Sequence, residues 1–544
     1  MKLVTVSEMK AVEQEADSSG LTYAQMMENA GAGLAKIVME LVYEGEEEEP
    51  GVVGLVGPGN NGGDTLVALA HLAAQDWHVR AYLINRPAEK DTLVDRLRQA
   101  GGEITLAGGD DNAEMLTAFI GAASVVIDGI LGTGFKLPLK KEVAEVLHAT
   151  NVAIADLDWP PYVVAVDCPS GVNCDTGEAV QDAIPASVTV TMAAVKQGLI
   201  KFPAFDLVGD LRVVDIGLSE KVKSWVGIRH EVADEAMVGE ILPERPDDSH
   251  KGTFGAALIA AGSVNYTGAA LLAGRSAYRI GTGLVTMAVP SALHVALAGQ
   301  FPEATWLLLP HEMGVISAEA GDVLIKNLDR VTALLLGPGL GTEDTTKDFV
   351  ENLIKGKAVL KKGSAGIGFV HEKNEKADEK KGVLPPLVVD ADGLKLLKKI
   401  DGWEEALPAS SILTPHPGEM AVLTGLSTDE IQADRLGVAL KFANEWRHIV
   451  ILKGAFTVIA APDGRATVIP VATSALARAG TGDVLAGLVV GLLAQGVEAY
   501  PAAVAGAWIH AQAGLFAAER IGNPASVMAG DIVDSISDVL MGMV

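Results

Sequence analysis

GVVGLVGPGNNGGDTLVALAHLAA, residues 51–74, contains the clearest fold signal in the sequence. The run GVVGLV is typical of a buried strand, and TLVALAHLAA has the composition and length of a helix. The turn between them places Gly57, Gly59 and Gly62 at the G-x-G-x-x-G spacing of a dinucleotide-binding loop. A strand, a glycine-rich turn and a helix in this order predict an α/β domain built on a parallel sheet.

Strand-like and helix-like runs alternate along most of the chain. The first half contains the strand-like runs GVVGLV, HVRAYLI, EITLA, SVVIDGI, YVVAVD, SVTVTMA and LRVVDIG. The second half contains GAALIAAG, LVTMAVP, TALLLGPG, PLVVDAD, SILTPHP and HIVILKG, followed by the hairpin FTVIAAPDGRATVIP with Asp-Gly at its tip. Near-continuous apolar strands between helices predict mostly parallel sheets covered on both faces. We therefore expect two α/β/α domains, over residues 1–222 and 223–544, and the first should be Rossmann-like.

The composition restricts the class of protein. The net charge of −28 over 544 residues argues against a nucleic-acid or anionic-membrane surface, so an anionic ligand must be held locally. Cys168 and Cys174 are the only cysteines, and their spacing does not suit a zinc site. The longest apolar run, residues 484–494, is about half a membrane span, and the start of the sequence lacks a signal-peptide core. These features predict a soluble cytoplasmic protein that binds neither nucleic acid nor membrane.

The glycine-rich loop alone does not establish a redox enzyme. An NAD-dependent dehydrogenase needs an acidic residue after the second strand, where this sequence has Asn85 and Arg86. The loop also carries Asn60, Asn61 and Asp64, which a redox site does not need. Hydride transfer is therefore disfavoured. The alternative that these glycines merely close a tight turn leaves the two amides and the carboxylate unexplained.

Other strand ends of the first half carry polar side chains. Asp128 and Asp167 each follow a buried-looking strand, and either one alone could be only a helix cap or a turn residue. Together with Asn61 and Ser170 they offer hard oxygens to a monovalent or divalent cation. The stretch GTGFK, residues 132–136, could offer backbone donors and a lysine to a phosphate.

The second half contains a phosphoryl-transfer signal. In GTGDVLAG, Gly480, Thr481 and Gly482 precede a long apolar helix, and Asp483 falls in its first turn. Backbone N–H groups there can stabilise an anion while the aspartate accepts a proton from a hydroxyl group. No Walker motif is present, so the chain is not a P-loop enzyme. The alternative is that these glycines and the aspartate only begin a helix and have no role in catalysis.

Further polar segments follow strands of the second half and should lie on the same sheet edge. They are LGPGLG (336–341), DAD (390–392), TPHPGE (414–419) and KGAFT (453–457). A single histidine is usually a core residue with its hydrogen bonds satisfied. Because His416 stands in HPGE, directly after a strand, we expect it to contact a ligand. The charged insertion at 363–382 is predicted to be a surface loop.

These motifs together resemble the bifunctional NAD(P)H-hydrate repair enzymes over nearly the whole chain. In the first half the resemblance rests on NNGGD (60–64), DGILGTGF (128–135) and VDCPSG (166–171). In the second half it rests on RPDDSHKGTFG, AGSVNYTGAA, GPGLG, LTPHPGEM, LKGAFT and GTGDVLAG. It implies a Rossmann-like NAD(P)HX epimerase domain followed by a ribokinase-like, ADP-dependent (S)-NAD(P)HX dehydratase domain. The two should interconvert the R and S hydrates and convert the S hydrate to NAD(P)H, AMP and phosphate.

The resemblance also implies roles for individual residues. In the epimerase domain, the hydrate should contact Asn60, Asn61, Gly62, Gly63, Asp64, Gly132, Thr133, Gly134, Phe135 and Asp167. Asp167 should transfer the proton, with Lys136 as a possible helper, and K⁺ should bind Asn61, Asp128 and Ser170. In the dehydratase domain, the hydrate should contact Gly339, His416 and Asp483, with Asp483 as the base. ADP, the co-substrate, should contact Lys453, Gly454, Ala455, Phe456, Thr457 and Gly482, with Mg²⁺ on its phosphates. A homo-oligomer is expected.

Three departures from the family pattern bear on these expectations. Thr65 and Leu66 follow NNGGD where Gly-Phe is usual, TSALARAGTGD precedes the long apolar helix in place of an Asn- and Gly-rich segment, and the insertion at 363–382 is unusual. Two rival interpretations stay open. The second half could be a small-molecule kinase that retains its phosphorylated product, and the first half could be a nucleotide-binding module without catalysis.

Overall fold

The computed structural model describes residues 1–43, 50–108, 112–135, 138–356 and 384–543. The insertion at 363–382, Lys136 and most of the acidic loop EGEEEEP (44–50) lie outside the described residues. Contacts divide the chain into two compact units, Met1–Val232 and Ala233–Val544. The functional boundary expected between residues 222 and 223 remains a prediction.

The first unit is an alternation of strands and helices. In chain order its elements are β1 (Leu3–Val4), α1 (Val6–Ser18), α2 (Tyr23–Tyr43), β2 (Gly51–Val56), α3 (Asn60–Ala73), β3 (His78–Leu83), α4 (Thr92–Gln99), β4 (Glu103–Leu106), α5 (Asn112–Gly121), β5 (Val125–Gly129), α6 (Lys141–Ala155), β6 (Tyr162–Val166), β7 (Val188–Met192), β8 (Val195–Lys196), a 3-10 turn (Gln197–Ile200), α7 (Phe205–Val208), β9 (Asp210–Val214), α8 (Lys223–Val226) and β10 (His230–Val232).

Seven of these strands form one parallel sheet in the order β4-β3-β2-β5-β6-β7-β9. They are the seven runs predicted from the sequence, so the Rossmann-like prediction is confirmed. The chain reverses its direction of winding between β2 and β5, which places the loops that follow these two strands at a topological switch point. Register pairs Leu55 with Asp128, so the glycine-rich loop and the Asp128 loop leave the sheet side by side.

Apolar side chains of the central strands alternate between two cores. Val52 packs with Leu34 and Leu66 on one face, whereas Val53 packs with Leu116 on the other. Because successive residues of a strand point to opposite faces, a strand that is apolar throughout needs helices on both sides. This explains the three layers.

The second unit has a larger set of elements. They are α9 (Glu235–Ile241), β11 (Ala256–Ala260), α10 (Thr267–Arg279), β12 (Leu284–Pro290), a 3-10 turn (Ser291–Leu293), α11 (His294–Ala298), β13 (Thr305–Leu309), β14 (His311–Glu312), β15 (Val315–Ile316), α12 (Ala320–Ile325), β16 (Ala333–Leu336), α13 (Asp344–Lys355), β17 (Leu387–Val389), α14 (Asp392–Leu397), α15 (Trp403–Ala406), β18 (Ile412–Leu413), α16 (Pro417–Thr424), α17 (Thr428–Ala433), α18 (Arg435–Trp446), β19 (Ile449–Leu452), β20 (Val458–Ala460), β21 (Ala466–Val468), a 3-10 turn (Ser474–Leu476), α19 (Thr481–Ala494), α20 (Ala499–Ile521), a 3-10 turn (Pro524–Ser526) and α21 (Ala529–Met541).

Nine strands of this unit follow one another in the order β21-β20-β19-β18-β17-β16-β11-β12-β13. Strands β11, β12, β13 and β16 to β19 are parallel, and β20 and β21 add the predicted antiparallel hairpin at one end. This mostly parallel sheet with an antiparallel end is the ribokinase-like arrangement expected of the second half. Strand β13 and the small β14–β15 hairpin were not predicted. No helix in the described residues is long and apolar enough to cross a membrane.

Candidate active sites

The glycine-rich loop after β2 is shaped by close backbone contacts. A Cβ atom on Gly57 would lie 1.9 Å from the Ile130 carbonyl oxygen, and one on Gly62 would lie 2.0 Å from the Gly57 carbonyl oxygen. Both positions therefore require glycine, and their small size lets the loop pack against the segment that follows β5. Asn60 begins α3, so residues 60–64 form the first turn of a helix.

Arg86, in the segment that follows β3, hydrogen-bonds to the backbone of this loop. Its Nη1 donates to the carbonyl oxygens of Gly57 at 3.1 Å and Gly59 at 3.3 Å, while its Nε donates to Asp91 at 2.8 Å. The position that carries an acidic residue in an NAD-dependent dehydrogenase thus carries a buried cation that binds the loop backbone. The structure gives a reason for the departure noted in the sequence.

Asn61, Asp128 and Ser170 lie together beneath the loop. Ser170 donates its hydroxyl to Asp128 at 2.6 Å and its N–H to the same carboxylate at 2.8 Å. The Asn61 amide donates to the carbonyl oxygens of Leu131 and Val166. Asp128 is fully buried, and this burial raises its pKa against the lowering effect of Ser170.

The oxygen atoms of this cluster suit a cation better than a zinc-type metal. Among the described residues, no group of three or more His, Cys, Asp and Glu side chains could hold a metal ion. The cluster offers instead an amide, a carboxylate and a hydroxyl oxygen, together with nearby carbonyl groups. Hard oxygen donors of this kind fit K⁺, so the potassium prediction is compatible with the residues present.

Asp167 forms a buried ion pair that the sequence did not indicate. It sits just past β6 with a φ of +65°, in the left-handed region, where a non-glycine residue is strained. One carboxylate oxygen accepts hydrogen bonds from Lys196 Nζ, from the Thr191 hydroxyl at 3.1 Å and from the Met192 N–H at 3.0 Å. Lys196 is only 1% exposed. The expected helper, Lys136, lies outside the described residues.

A cavity of about 200 Å³ connects these groups. Its lining includes Asp64, Asp167 and Lys196, with Glu13 from α1. Burial, aided by the charge of Asp167, raises the pKa of Asp64 well above its usual range, and burial also raises the pKa of Glu13. A carboxyl group with a raised pKa, such as Asp64, holds its proton more tightly than usual and can act as a proton donor.

The other residues assigned to this site surround the same cavity or its rim. Asn60, Asn61 and Thr133 line it. Gly63 packs on Met27, another lining residue, and Gly132 lies against the Asn61 side chain and accepts the Phe135 N–H at 3.3 Å. Gly134 falls within that turn. Their contacts with substrate stay predictions.

Thr65 is accommodated without displacing the loop. Its hydroxyl donates to the Asn61 carbonyl oxygen at 2.7 Å, and a Cβ atom on Gly129 would lie 1.9 Å from that hydroxyl. The departure from the family pattern therefore fits because the neighbouring strand has a glycine opposite.

In the second unit, Asp483 lies in the first turn of α19 as predicted. Gly480 precedes the helix with a φ of +91°, and Thr481 anchors it by donating to the Leu476 carbonyl oxygen at 2.9 Å. Burial and the charge of Asp390 raise the pKa of Asp483 to about 7. A carboxyl group with this pKa can accept a proton near neutral pH.

Lys453 and Gly482 come together beside this aspartate. Lys453 Nζ donates to Asp390 at 2.7 Å and lies 3.6 Å from Glu419. Burial works against the charge of Lys453, but the two carboxylates outweigh it and raise its pKa. A Cβ atom on Gly482 would lie 3.3 Å from Lys453 Nζ, so glycine there allows a close approach to the helix terminus.

Asp390 is the functional candidate that the sequence understated. In the sequence, Asp390 is only the first residue of DAD, a polar segment directly after β17. Thr414 and Lys453 donate to its Oδ1, whereas its buried Oδ2 has no hydrogen-bond partner in the described part of the chain. An unpartnered carboxylate oxygen fits a hard divalent cation, so the residues present are compatible with Mg²⁺.

His416 caps α16. Its Nδ1 accepts the N–H groups of Gly418 at 3.0 Å and Glu419 at 3.3 Å, so Nε2 carries the proton of the neutral ring. Burial lowers the pKa of His416, which favours that neutral form, yet 54% of its side chain is exposed. The ring is thus both structural and available to a ligand.

The remaining predicted residues lie in loops at the same sheet edge. Gly339 follows β16, and a Cβ atom on it would lie 2.7 Å from Tyr266. The loop at 453–457 is closed by hydrogen bonds between Gly454 and Thr457. Ala455 and Phe456 lie between them, with Phe456 at a φ of +54°.

The fold and the sites define a class of protein: a two-domain α/β enzyme with one site suited to proton transfer and another suited to phosphoryl transfer. Residues 257–537 match the family model described as NAD(P)H-hydrate dehydratase, and residues 23–198 match that of the YjeF-related protein N-terminus. The chain belongs to the family of bifunctional NAD(P)H-hydrate repair enzymes.

The relatives cover the full chain. The bifunctional NAD(P)H-hydrate repair enzyme Nnr of Moorella thermoacetica is 35% identical over 100% of this chain and 97% of its own length. That of Thermofilum pendens is 34% identical over 96% and 93%, respectively. The crystal structure of the ADP/ATP-dependent NAD(P)H-hydrate dehydratase from Bacillus subtilis is 28% identical, covers 58% of this chain and 99% of its own, and has a TM-score of 0.46.

Proposed function

We propose that this chain repairs hydrated NADH and NADPH with two activities. The first domain interconverts the R and S hydrates, and the second uses ADP to dehydrate the S form, which yields NAD(P)H, AMP and phosphate. Family membership supports both activities. The observation that carries the proposal is the position of Asp483 beside Lys453 and Asp390 at the N-terminus of α19.

In the dehydratase reaction, the ring hydroxyl attacks the terminal phosphorus of ADP and AMP leaves. Asp483 accepts the hydroxyl proton, and the backbone N–H groups of the first turn of α19 stabilise the phosphate charge. The ring nitrogen then expels the phosphate, and loss of a proton from the adjacent ring carbon restores NAD(P)H. Lys453 and Gly482 hold the nucleotide at the helix terminus.

In the epimerase reaction, the bond between the ring carbon and its hydroxyl breaks and re-forms on the opposite face. Asp64, which is protonated because of its raised pKa, donates a proton to the departing hydroxyl. Asp167 accepts a proton from the water that returns, and Lys196 orients its carboxylate. Asp167→Asn should leave the R hydrate to be repaired only as fast as it epimerises spontaneously. Equal enzymatic consumption of both forms in that variant would exclude Asp167.

Two metal ions complete the proposal. Asn61, Asp128 and Ser170 would hold K⁺, which supplies a fixed positive charge beneath the hydrate. Asp390, with Glu419 nearby, would hold Mg²⁺, which neutralises charge on the transferred phosphoryl group. The chain is further proposed to act in the cytoplasm as a homo-oligomer, and sedimentation velocity measures its assembly.

Incubation with NADHX, Mg²⁺ and either ADP or ATP tests the function. Recovery of the reduced-nicotinamide absorbance, with AMP and phosphate released from ADP, is expected, and the two reactions compared give the nucleotide preference. Accumulation of a stable phosphoester would instead establish the rival small-molecule kinase. Enzymatic consumption of the S form, with the R form consumed only at the rate of spontaneous epimerisation, would show that the first domain is a module without catalysis.

A further inference from the structure

Arg435 is a cation without a carboxylate partner in the described part of the chain. It begins α18 and lies largely buried. Its Nη1 donates to Gln432 at 2.7 Å and its Nη2 to the Leu452 carbonyl oxygen at 2.8 Å, whereas its buried Nε has no hydrogen-bond partner among the described residues. Both partners are neutral, so the guanidinium charge is not balanced by them.

An unbalanced guanidinium is costly in the folded protein. Burial alone lowers the pKa of Arg435 to about 10, which still leaves the side chain charged at neutral pH. Removing such a charge from water is unfavourable unless an opposite charge or several strong hydrogen bonds compensate. A side chain of this kind therefore fits a site where an anion binds.

The guanidinium lies directly against the loop assigned to the nucleotide. Leu452, whose carbonyl oxygen it binds, ends β19, and Gly454 is the second residue of the loop at 453–457. A Cβ atom on Gly454 would lie only 3.0 Å from Nη2 and 3.1 Å from Nη1. Gly454 has a φ of +147°, so this position favours glycine for its backbone as well as for the space the guanidinium occupies.

Charge balance at the second site points the same way. Lys453, the cation within the loop, is already neutralised by Asp390 and Glu419. Asp483 lies beside them, and the chain as a whole carries a net charge of −28. A nucleoside diphosphate brings further negative charge, so a cation that no carboxylate neutralises would favour its binding in addition to the proposed Mg²⁺.

We propose that Arg435 binds a phosphate oxygen of the nucleotide through N–H groups that its present partners leave unused. Each Nη has a second N–H besides the one that its present partner accepts, so both terminal nitrogens of the guanidinium can still donate to a phosphate. This inference rests on the proposed ADP-dependent dehydratase and adds a phosphate-binding residue to it.

Calorimetric titration of the full chain with ADP, AMP and adenosine tests the inference. In Arg435→Gln the Kd for ADP should rise about 10- to 100-fold, because a charge-assisted hydrogen bond is lost, while the Kd for adenosine stays unchanged. Arg465→Gln is the matched control, since it removes an exposed arginine of the same unit that is paired with Asp463. It should leave the Kd for ADP unchanged.

The ligand series separates the possible outcomes. Equal losses for ADP and adenosine would mean that Arg435 only shapes the loop and would overturn the inference, as would an unchanged Kd for ADP. If Arg435→Gln does not fold, Arg435→Lys keeps the charge and can still reach Leu452. Arg435→Lys should raise the Kd for ADP by about 3- to 10-fold, which is less than the glutamine variant would, and leave the Kd for adenosine unchanged. A wild-type chain that binds no nucleotide would instead refute the proposed function itself.

Discussion

At the residue scale, Asp483 has the environment of a general base. Because burial and Asp390 raise its pKa to about 7, the ionised form that accepts a proton is scarce below that pH and predominates above it. Dehydratase kcat/KM should therefore rise roughly tenfold per pH unit below 7 and level off above it. Initial rates with the S hydrate between pH 5.5 and 8.5 measure this.

Asp483→Asn is the control for that profile. It should lower dehydratase kcat by about 10²- to 10⁴-fold while epimerisation, carried by the first domain, stays at the wild-type rate. A variant that keeps both its dehydration rate and its dependence on pH would show that another group is the base.

Asp64 should be needed for epimerisation although it makes the folded protein less stable at neutral pH. Its pKa is raised in the folded state, so at neutral pH unfolding lets it ionise, which favours the unfolded chain above the unfolded pKa of about 4. Asp64→Asn should slow epimerisation by about 10²-fold or more and raise the unfolding midpoint by roughly 2–4 °C for each kcal/mol recovered. Scanning calorimetry at pH 7 and pH 4.5 measures both proteins.

The gain in stability expected for Asp64→Asn depends on pH. The stability difference between the variant and the wild type should shrink at pH 4.5, because that pH lies within about one unit of the unfolded pKa, so the unfolded chain gains much less from ionisation of Asp64 than it does at pH 7. A difference that is the same at both pH values would contradict the raised pKa.

Motifs identified acidic residues better than their partners. Asp167 and Asp483 stand at strand or helix ends, where local spacing makes them visible. Lys196 follows Asp167 by 29 residues and reaches it only because β6 and β7 are neighbours in the sheet. No local pattern encodes that contact, although a lysine in an apolar run directly after a buried strand was a usable signal.

At the element scale, strands were predictable where they are buried on both faces. The run of β2 is apolar throughout and that of β5 is apolar up to Asp128; both strands are entirely buried, and both were predicted. Strand β13, TWLLL, was missed; it is the last strand of the sheet, and two of its five residues are exposed, so it lacks the continuous burial of the central strands. The tip of the hairpin between β20 and β21 was predictable from its Asp-Gly turn, whereas the His416 cap of α16 was not predicted.

The link between β3 and the glycine-rich loop gives a prediction at this scale. Arg86→Ala removes two hydrogen bonds to the carbonyl oxygens of Gly57 and Gly59. The loop should then be less ordered, and the epimerase KM should rise about tenfold while dehydratase kinetics stay unchanged. Steady-state assays of both activities on the same preparation measure this.

Arg80→Ala is the matched control, because Arg80 lies on β3, six residues before Arg86, but pairs with the exposed Glu103. It should behave as wild type in both assays. Arg86→Lys should recover only part of the loss, since a lysine cannot reproduce the forked contact. An Arg86→Ala variant with unchanged epimerase KM would show that the loop keeps its conformation without the clamp.

At the scale of the whole molecule, both sites follow from one property of parallel sheets. Polar residues at the ends of neighbouring strands meet at the carboxyl edge, so the sequence could assign Asp128 and Asp167 to one site and Asp390 to another, which Asp483 joins from the first turn of a helix. It could not assign the cations, because Lys196 and Arg435 reach those edges from elements that carry no motif. The apolar patterns of strands and helices thus indicate where the carboxyl edge of each sheet lies. They do not indicate which lysine or arginine side chains from other elements extend to that edge.

The end of the first domain gives the last prediction. Residues 223–232 lie beyond the expected boundary at 222, yet they bind the N-terminal segment: Lys223 and Ser224 donate N–H groups to Glu15 at 2.9 Å, and Lys2 donates to the Ile228 carbonyl oxygen at 3.0 Å. A fragment of residues 1–232 should therefore have a higher unfolding midpoint than one of residues 1–222. Thermal unfolding followed by circular dichroism measures the difference. Both fragments contain every residue assigned to the first site, so epimerase activity at low temperature controls for folding. Equal unfolding midpoints with equal activity would place the boundary at residue 222.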